Sequence, residues 1–81
     1  MRNQVYEKRV EKSSRLMLAE GIDILLLTKP SNMFYLTGDG RLCSFAMING
    51  NGQVALGVPQ TDEDDVRKQA HFDHLATFDD E

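Results

Sequence analysis

The segment that most constrains the fold is a short apolar run between two chain-breaking residues. Residues 22–28 read Ile-Asp-Ile-Leu-Leu-Leu-Thr and lie between Gly21 and Pro30. A run of this length with such boundaries is typical of a β-strand that is buried on both faces. Because a strand of that kind needs other elements packed against it, the sequence predicts a layered α/β protein.

An amphipathic helix is predicted directly before this strand, over residues 4–20. At 100° per residue, one stripe of this helix is less polar than the rest and needs a covering element. The stripe consists of Tyr6, Val10, Ser13 and Met17. Glu11 and Arg15 have the favourable spacing and order for an ion pair on the opposite side. Gly21 is the predicted helix stop, because glycine readily adopts the left-handed cap conformation.

A hairpin is predicted in the middle of the chain. A turn at residues 29–32 precedes it, with Ser31 as the predicted cap of a single helical turn over residues 32–36. Strands are expected over residues 42–48 and 53–58. The Asn-Gly-Asn-Gly sequence between these strands favours a tight antiparallel connection.

A second helix and a last strand complete the predicted order. Thr61 is the predicted N-cap, and the acidic residues that follow it match the positive end of the helix dipole. Val66 and Ala70 form a thin apolar face, and residues 75–78 are a short strand. The prediction is therefore an α/β fold in which helices flank a mixed β-sheet.

Composition excludes several classes of function. The chain has 81 residues, with 9 basic and 13 acidic side chains and a net charge of −4, which disfavours nucleic acid and anionic membranes as partners. The longest apolar run, Ile24 to Leu27, is far shorter than the roughly 20 residues that span a bilayer. The single cysteine, Cys43, is expected to be a buried small side chain and indicates a reducing, cytoplasmic location.

Two clusters have residue types that suit ligand binding. His71, Asp73 and His74 lie among other carboxylates between Asp62 and Asp80, but their spacing matches no defined metal motif. A solvent-exposed helix end is the preferred interpretation of that cluster. Residues 38–41, Gly-Asp-Gly-Arg, would bind an anion or simply turn the chain, and the turn is favoured. No serine has the flanking glycines of a nucleophile elbow.

A set of residues in order along the chain resembles a known family. It consists of Arg9, Met17, Gly21, Asp23, Asn32, Tyr35, Leu36, Thr37 and Gly38. Over residues 5–78 the sequence is similar to the N-terminal domain of the creatinase, prolidase and aminopeptidase P family. The resemblance implies a ribonuclease H-like α/β motif, and residues 1–81 would form one partial domain of a longer chain, because the chain stops directly after the last predicted strand.

The resemblance also implies what this domain does. In the family, a separate C-terminal domain holds two divalent metal ions (Mn, Co or Zn) that activate water for hydrolysis of an Xaa-Pro bond. That domain is absent from the 81 residues, so no catalytic or metal-binding residue is expected here. The family's N-terminal domain contributes to a homodimer and to the rim of the active site, where the peptide substrate enters. The implied rim residues are Asn32, Tyr35, Gly38, Asp39 and Arg41.

Alternatives to these assignments stay open at the level of sequence. The family often has an aromatic residue where this chain has Asp39, which opposes an apolar substrate contact at that position. Tyr35 and Leu36 would also suit the core, and Gly38 would also serve a turn.

A stand-alone α/β interaction module and a small anion-binding domain are the competing functions. An uncovered sheet edge and apolar face are expected to cause self-association.

Overall fold

A computed structural model describes residues 4–41 and 44–79, and it contains three α-helices and four strands within those ranges. In chain order the elements are α1 (Gln4–Ala19), β1 (Ile24–Leu27), α2 (Pro30–Thr37), β2 (Phe45–Asn49), β3 (Val54–Pro59), a 3-10 turn (Gln60–Asp62), α3 (Glu63–Gln69) and β4 (His74–Phe78). The predicted strand start at Leu42 and the predicted burial of Cys43 lie outside the described residues.

The four strands form one mixed sheet in the order β1-β2-β3-β4. The first three strands are antiparallel neighbours, with Leu25 opposite Ile48 and Ile48 opposite Val54. β4 lies parallel to β3, with Leu56 opposite Leu75, and α3 makes the crossover between them. The predicted element order and the mixed α/β sheet are confirmed.

The helices and alternate strand residues share one hydrophobic core. Val10 and Met17 from α1, Met33 and Leu36 from α2, and Val66 from α3 belong to it. From the strands, the buried members of this core are Leu27, Ala46, Ile48, Val54, Leu56 and Val58. We call this side of the sheet the helical face.

The opposite side of the sheet carries no helix of the described chain, and we call it the open face. Because side chains alternate along a strand, the register assigns eleven strand residues to it. They are Ile24, Leu26, Phe45, Met47, Asn49, Ala55, Gly57, Pro59, His74, Ala76 and Phe78. None of these eleven residues is an acid, a lysine or an arginine, and most are apolar.

The prediction that the first strand is buried on both faces is wrong. The strand begins at Ile24, and its side chains on the open face are 62% exposed at Ile24 and 58% exposed at Leu26. Leu27, one residue further on, is buried in the core. The physical reason is that the helices cover only one side of the sheet, so alternate residues of this edge strand stay in solvent.

Two predicted helix caps are also wrong. α2 begins at Pro30 with Lys29 as N-cap and runs for 8 residues, so Ser31 lies inside the helix. Proline suits the first helical position, because its fixed φ is helical and its missing N–H would have no partner there. Thr61 lies within the 3-10 turn, and α3 begins two residues later at Glu63. The predicted acidic first turn of α3 is confirmed.

The ends of α1 and the hairpin follow their predicted chemistry. Gly21 has a φ of 72° just after α1, and Gly52 has a φ of 81° in the hairpin loop. Asn49 Oδ1 accepts hydrogen bonds from the backbone N–H groups of Asn51 and Gln53, each at 3.0 Å. The buried serine of α1 is Ser14 rather than the predicted Ser13, and its hydroxyl donates to the Asn49 carbonyl oxygen at 3.3 Å.

Candidate functional site

Helix α2 presents Asn32 and Tyr35 to solvent, one turn apart. This i, i+3 spacing places both side chains on neighbouring parts of the helix surface. Tyr35 is 50% exposed, whereas the next residue, Leu36, is buried in the core. Of the two residues considered for the core, the structure therefore buries only Leu36, and Tyr35 is available to a ligand or a partner.

Arg9 of α1 holds Tyr35 in place. Its Nη1 donates a hydrogen bond to the Tyr35 carbonyl oxygen at 2.9 Å. The Arg9 guanidinium carbon also lies 4.4 Å from the centre of the Tyr35 ring and 5.4 Å from that of Tyr6. Cation–π contacts of this kind orient both partners. The sequence analysis placed Arg9 in the family pattern but assigned it no role. Its partner Tyr35 lies 26 positions away, and no local spacing in the sequence indicates a contact at that distance.

Gly38 ends α2 in a conformation that favours glycine. Its φ is 78°, and its N–H donates to the Phe34 carbonyl oxygen at 2.9 Å. A Cβ atom at this position would lie 3.0 Å from the Tyr6 ring and hydroxyl oxygen. Gly38 therefore permits both the left-handed cap and the close approach of α1, which is the turn role considered for it from the sequence.

Asp39 and Arg41 form the central ion pair of the loop between α2 and β2. Arg41 Nε donates to Asp39 Oδ1 at 2.8 Å, and Arg41 Nη2 donates to Asp39 Oδ2 at 2.9 Å. Arg41 Nη1 also lies 3.3 Å from Asp62 Oδ1, and Gln69 Nε2 donates to Asp39 Oδ2 at 3.1 Å. This Asp39–Arg41 network, which comprises Asp39, Arg41, Asp62 and Gln69, joins the loop to the 3-10 turn and to α3.

Thr37 strengthens the same connection from beneath the loop. Its buried hydroxyl donates to the Met33 carbonyl oxygen at 2.7 Å and accepts from the Asp39 N–H at 3.1 Å. Its own carbonyl oxygen accepts from the His71 N–H at 2.7 Å. The polar groups of Thr37 at the end of α2 are thus bonded within the protein, which holds the described residues 37–39 in place.

The network sets the charge state of both central groups. Burial alone would raise the pKa of the Asp39 carboxyl, but hydrogen bonds from Arg41 and Gln69 outweigh burial and hold that pKa below its ordinary value. The hydrogen bond to Asp39 raises the pKa of Arg41 above its usual range. Asp39 is therefore ionised at neutral pH and accepts the hydrogen bonds of Arg41 as a carboxylate. Because its side chain is only 5% exposed, it has little surface with which to contact a substrate.

This arrangement does not favour the anion-binding interpretation of residues 38–41. The guanidinium of Arg41 already contacts two carboxylates, those of Asp39 and Asp62. An added anion would lie close to both negative charges, which repel it. Of the five rim candidates, the structure brings Asp39 and Arg41 together, leaves Asn32 and Tyr35 on the surface of α2, and uses Gly38 as the cap between them.

The histidine and carboxylate cluster is not a metal site within the described ranges. Across residues 4–41 and 44–79, no group of three or more His, Cys, Asp or Glu side chains is placed to hold a metal ion. The two histidines do not share a helix face, because α3 ends at Gln69: His71 is buried beside Tyr6, and His74 is exposed on β4. Asp80 lies outside the described residues. In the described part of the chain, no helix is long and apolar enough to cross a membrane.

Comparisons with known proteins match the sequence and the fold of this chain. The family model of the creatinase/prolidase N-terminal domain matches residues 9–81, which is most of the chain. This match identifies the chain as part of an N-terminal domain of the kind found in creatinases and prolidases. The chain belongs to the creatinase/prolidase N-terminal domain family. No curated protein matches the sequence significantly.

Solved structures show the same fold at low identity. The creatinase/prolidase-like N-terminal domain of a metallopeptidase assigned in Corynebacterium diphtheriae superposes with a TM-score of 0.84 at 18% identity over 91% of this chain and 60% of that one. An Xaa-Pro aminopeptidase from Streptococcus pyogenes superposes with a TM-score of 0.82 at 20% identity, over 91% of this chain and 57% of that one. The prolidase from Pyrococcus furiosus superposes with a TM-score of 0.77 at 24% identity, over 86% of this chain and 22% of that one. The chain therefore spans less than two thirds of each of these proteins.

Proposed function

We propose that this chain is the non-catalytic N-terminal domain of a metal-dependent Xaa-Pro dipeptidase or aminopeptidase-like protein. The observation that carries the proposal is the family match over residues 9–81. Its neighbours support it, since they include an Xaa-Pro aminopeptidase and a prolidase. In this proposal the domain contributes to dimerisation and to the rim of the active site, and the parent protein acts in the cytoplasm.

The catalytic metals belong to another part of the parent protein. The residues described here do not fit a dinuclear metal centre, because none of them form a cluster of three candidate ligands. A pair of divalent ions in the parent would supply the Lewis acid and the activated water for peptide hydrolysis. This chain's own contribution is structural, through the Asp39–Arg41 network and the exposed surface of α2.

The rim role divides the five candidate residues into two groups. Asn32 and Tyr35 are exposed on α2 and would contact an entering peptide or a neighbouring subunit. Gly38, Asp39 and Arg41 would position α2, because they cap that helix and bond its following loop to α3. The pinning of Tyr35 by Arg9 supports this division, since binding costs less entropy when a contact residue is already held in place.

The first experiment measures the mass of the natural gene product in its source cells and its hydrolysis of an Xaa-Pro dipeptide. We expect a product much heavier than 9.2 kDa whose activity needs added Mn²⁺, Co²⁺ or Zn²⁺ and stops with a chelator. The 81-residue chain, assayed in parallel as the control, should be inactive. A natural product of 9.2 kDa without activity would contradict the peptidase proposal and favour the stand-alone interaction module.

The rim role is tested in the active parent protein with Tyr35→Ala and Asn32→Ala. If these side chains meet the entering peptide, KM should rise severalfold while kcat changes little, because the reacting atoms are bound elsewhere. Lys68→Ala, at an exposed position on α3, is the matched control. Unchanged KM values in both variants would remove Asn32 and Tyr35 from the rim.

A further inference from the structure

The hairpin loop between β2 and β3 contains the dipeptide Asn-Gly twice, as Asn49-Gly50 and Asn51-Gly52. The backbone nitrogen that follows an asparagine can attack the amide carbon of its side chain. Glycine favours this attack, because it has no side chain to hinder the approach and its backbone adopts many conformations. The dipeptides alone do not distinguish the two asparagines, whereas their hydrogen bonds in the structure do.

The side chain of Asn49 is held at both of its polar atoms. Its Oδ1 accepts from the backbone N–H groups of Asn51 and Gln53, each at 3.0 Å, and its Nδ2 donates to Gln53 Oε1 at 2.8 Å. The backbone of Asn49 is also held, because its N–H donates to the Gln53 carbonyl oxygen at 3.2 Å and its carbonyl oxygen accepts from the Ser14 hydroxyl at 3.3 Å. Attack by the Gly50 nitrogen requires rotation of this side chain, so these bonds oppose a reaction at Asn49.

Asn51 lies at the tip of the loop and is exposed. Among the hydrogen bonds of residues 4–41 and 44–79, it takes part in one, which its backbone N–H donates to Asn49, so its side-chain amide is not held. The nitrogen that would attack this amide belongs to Gly52 and donates to the Asn49 carbonyl oxygen at 3.0 Å. Because exposed loop tips open locally at little cost in free energy, that single bond is a weaker obstacle than the bonds around Asn49.

We propose that Asn51 is a site of spontaneous deamidation and that the fold protects Asn49. The Gly52 nitrogen bonds to Asn51 Cγ and gives up its proton, the Cγ–Nδ2 bond breaks, and ammonia leaves with that proton. Water then opens the resulting succinimide ring at either of its carbonyl carbons. The product is an aspartate or an isoaspartate at position 51. The reaction needs only water and is independent of the proposed peptidase function.

Both products change the surroundings of the hairpin loop. Asn51 lines a cavity of about 340 Å³ between α1 and this loop. The charged residues of the same lining are Glu7, Glu11 and Arg15. A carboxylate at position 51 makes the net charge of the chain one unit more negative than −4 and lies near like charges. An isoaspartate also adds a carbon atom to the main chain, which changes the geometry of the bonds from Asn51 and Gly52 to Asn49.

The test compares the two asparagines in the folded 81-residue chain and in the same chain unfolded in guanidinium chloride. Both samples are kept at mildly alkaline pH, because loss of the backbone amide proton speeds the attack. Mass spectrometry with peptide fragmentation assigns each deamidation to its residue, and enzymatic methylation detects isoaspartate. Asn32, which lies within α2 and precedes Met33, is the internal control.

A variant tests the cause of the protection. Gln53→Ala removes the acceptor of the Asn49 side-chain amide and leaves the backbone bonds of the hairpin in place. Circular dichroism checks that the variant is folded. We expect its deamidation rate to rise severalfold at Asn49 and to stay unchanged at Asn51. An unchanged rate at Asn49 would overturn the assigned cause.

In denaturant, Asn49 and Asn51 should react at similar rates, because both precede glycine. In the folded chain, Asn51 should react about tenfold or more faster than Asn49, since a tenfold change in rate corresponds to about one hydrogen bond that must first break. Asn32 should stay intact. Equal rates at the two loop asparagines of the folded chain, or a faster reaction at Asn49, would overturn the proposal. An Asn51 that stays intact while the unfolded chain reacts would overturn it as well.

Discussion

The two faces of the sheet differ in how completely their side chains are partnered. On the helical face, Ile48, Val54 and Leu56 are buried against three helices. On the open face, Ile24 and Leu26 of the same sheet remain in solvent. Because burial of apolar surface is the main favourable contribution to folding, the helical face stabilises the single chain. The exposed side chains of Ile24 and Leu26 contribute little of that burial in the described chain.

Polar groups show the same asymmetry. At the end of the helical layer, the Asp39–Arg41 network bonds a carboxylate, a guanidinium and an amide to one another. The eleven described strand residues of the open face include no such ion pair, since none of them is an acid, a lysine or an arginine. The comparison teaches that charged side chains fix the loop after α2, whereas the described strand residues of the open face are mostly apolar.

Leu56→Ala should produce the largest loss of stability. The side chain is buried in the centre of the sheet on the helical face, and loss of a buried leucine leaves a cavity. We expect the free energy of unfolding to fall by about 2–5 kcal/mol, measured by urea denaturation. Leu26→Ala is the control on the open face and should change the unfolding free energy of the monomer by less than about 0.5 kcal/mol. Similar losses in the two variants would contradict the difference between the faces.

Asp39→Asn should come next, because it removes one charge from the Asp39–Arg41 network. The substitution weakens two hydrogen bonds from Arg41 to a buried carboxylate. Hydrogen bonds to charged groups contribute about 1.5–3 kcal/mol, so a loss of that order in unfolding free energy is expected at pH 7. Asp64→Asn, at an exposed position on α3, is the matched control and should have little effect.

The same pair of variants has an expected pH dependence. The folded protein lowers the pKa of Asp39 below its ordinary value of 3.8. The resulting stabilisation is therefore complete above that ordinary value and is lost as pH falls through the lowered folded value. The difference in unfolding free energy between wild type and Asp39→Asn should shrink on acidification below 3.8. A difference that stays constant as the pH falls well below 3.8 would mean that the Asp39 charge does not stabilise the fold.

Gly38→Ala tests the junction between α1 and α2. It should destabilise the protein by about 1–2 kcal/mol, because a left-handed conformation costs a non-glycine residue about that much. The added methyl also approaches Tyr6 to 3.0 Å. Gly21→Ala is the matched control, with a φ of 72° and no atom within 4 Å of the added Cβ. Thermal unfolding should show a larger loss for Gly38→Ala, and equal losses would indicate that the Tyr6 contact costs nothing.

Much of the fold was predictable because its signals are local. The hairpin at Asn49–Gly52, the left-handed Gly21 and the acidic first turn of α3 follow from the chemistry of adjacent residues. The burial of β1 was not predictable in the same way. An apolar run looks the same whether one or both of its faces are covered, and the coverage depends on where distant helices pack.

In the candidate site, too, the residues within one local stretch were predictable, whereas their distant partners were not. The sequence pointed to Tyr35, Gly38 and Arg41, because they lie in one continuous stretch with a family pattern. It did not indicate Gln69 or Asp62 as partners of the loop, since both are separated from it by a whole hairpin. Long-range hydrogen bonds leave no periodicity in the sequence, so only the packed structure showed that Asp39 is buried.

Arg9→Gln should give the smallest effect and sharpens the comparison at the exposed surface. The variant loses the cation–π contacts with Tyr6 and Tyr35, which at such sites contribute about 0.5–1 kcal/mol. Lys12→Gln, at an exposed α1 position with the same change in charge, is the control. Unfolding free energies should differ between the two variants by about that amount. The Tyr35 ring protons should also shift in NMR spectra of Arg9→Gln alone, because Arg9 lies over that ring and Lys12 does not. Equal spectra for the two variants would mean that Arg9 does not hold Tyr35, and the rim surface would then lose its proposed rigidity.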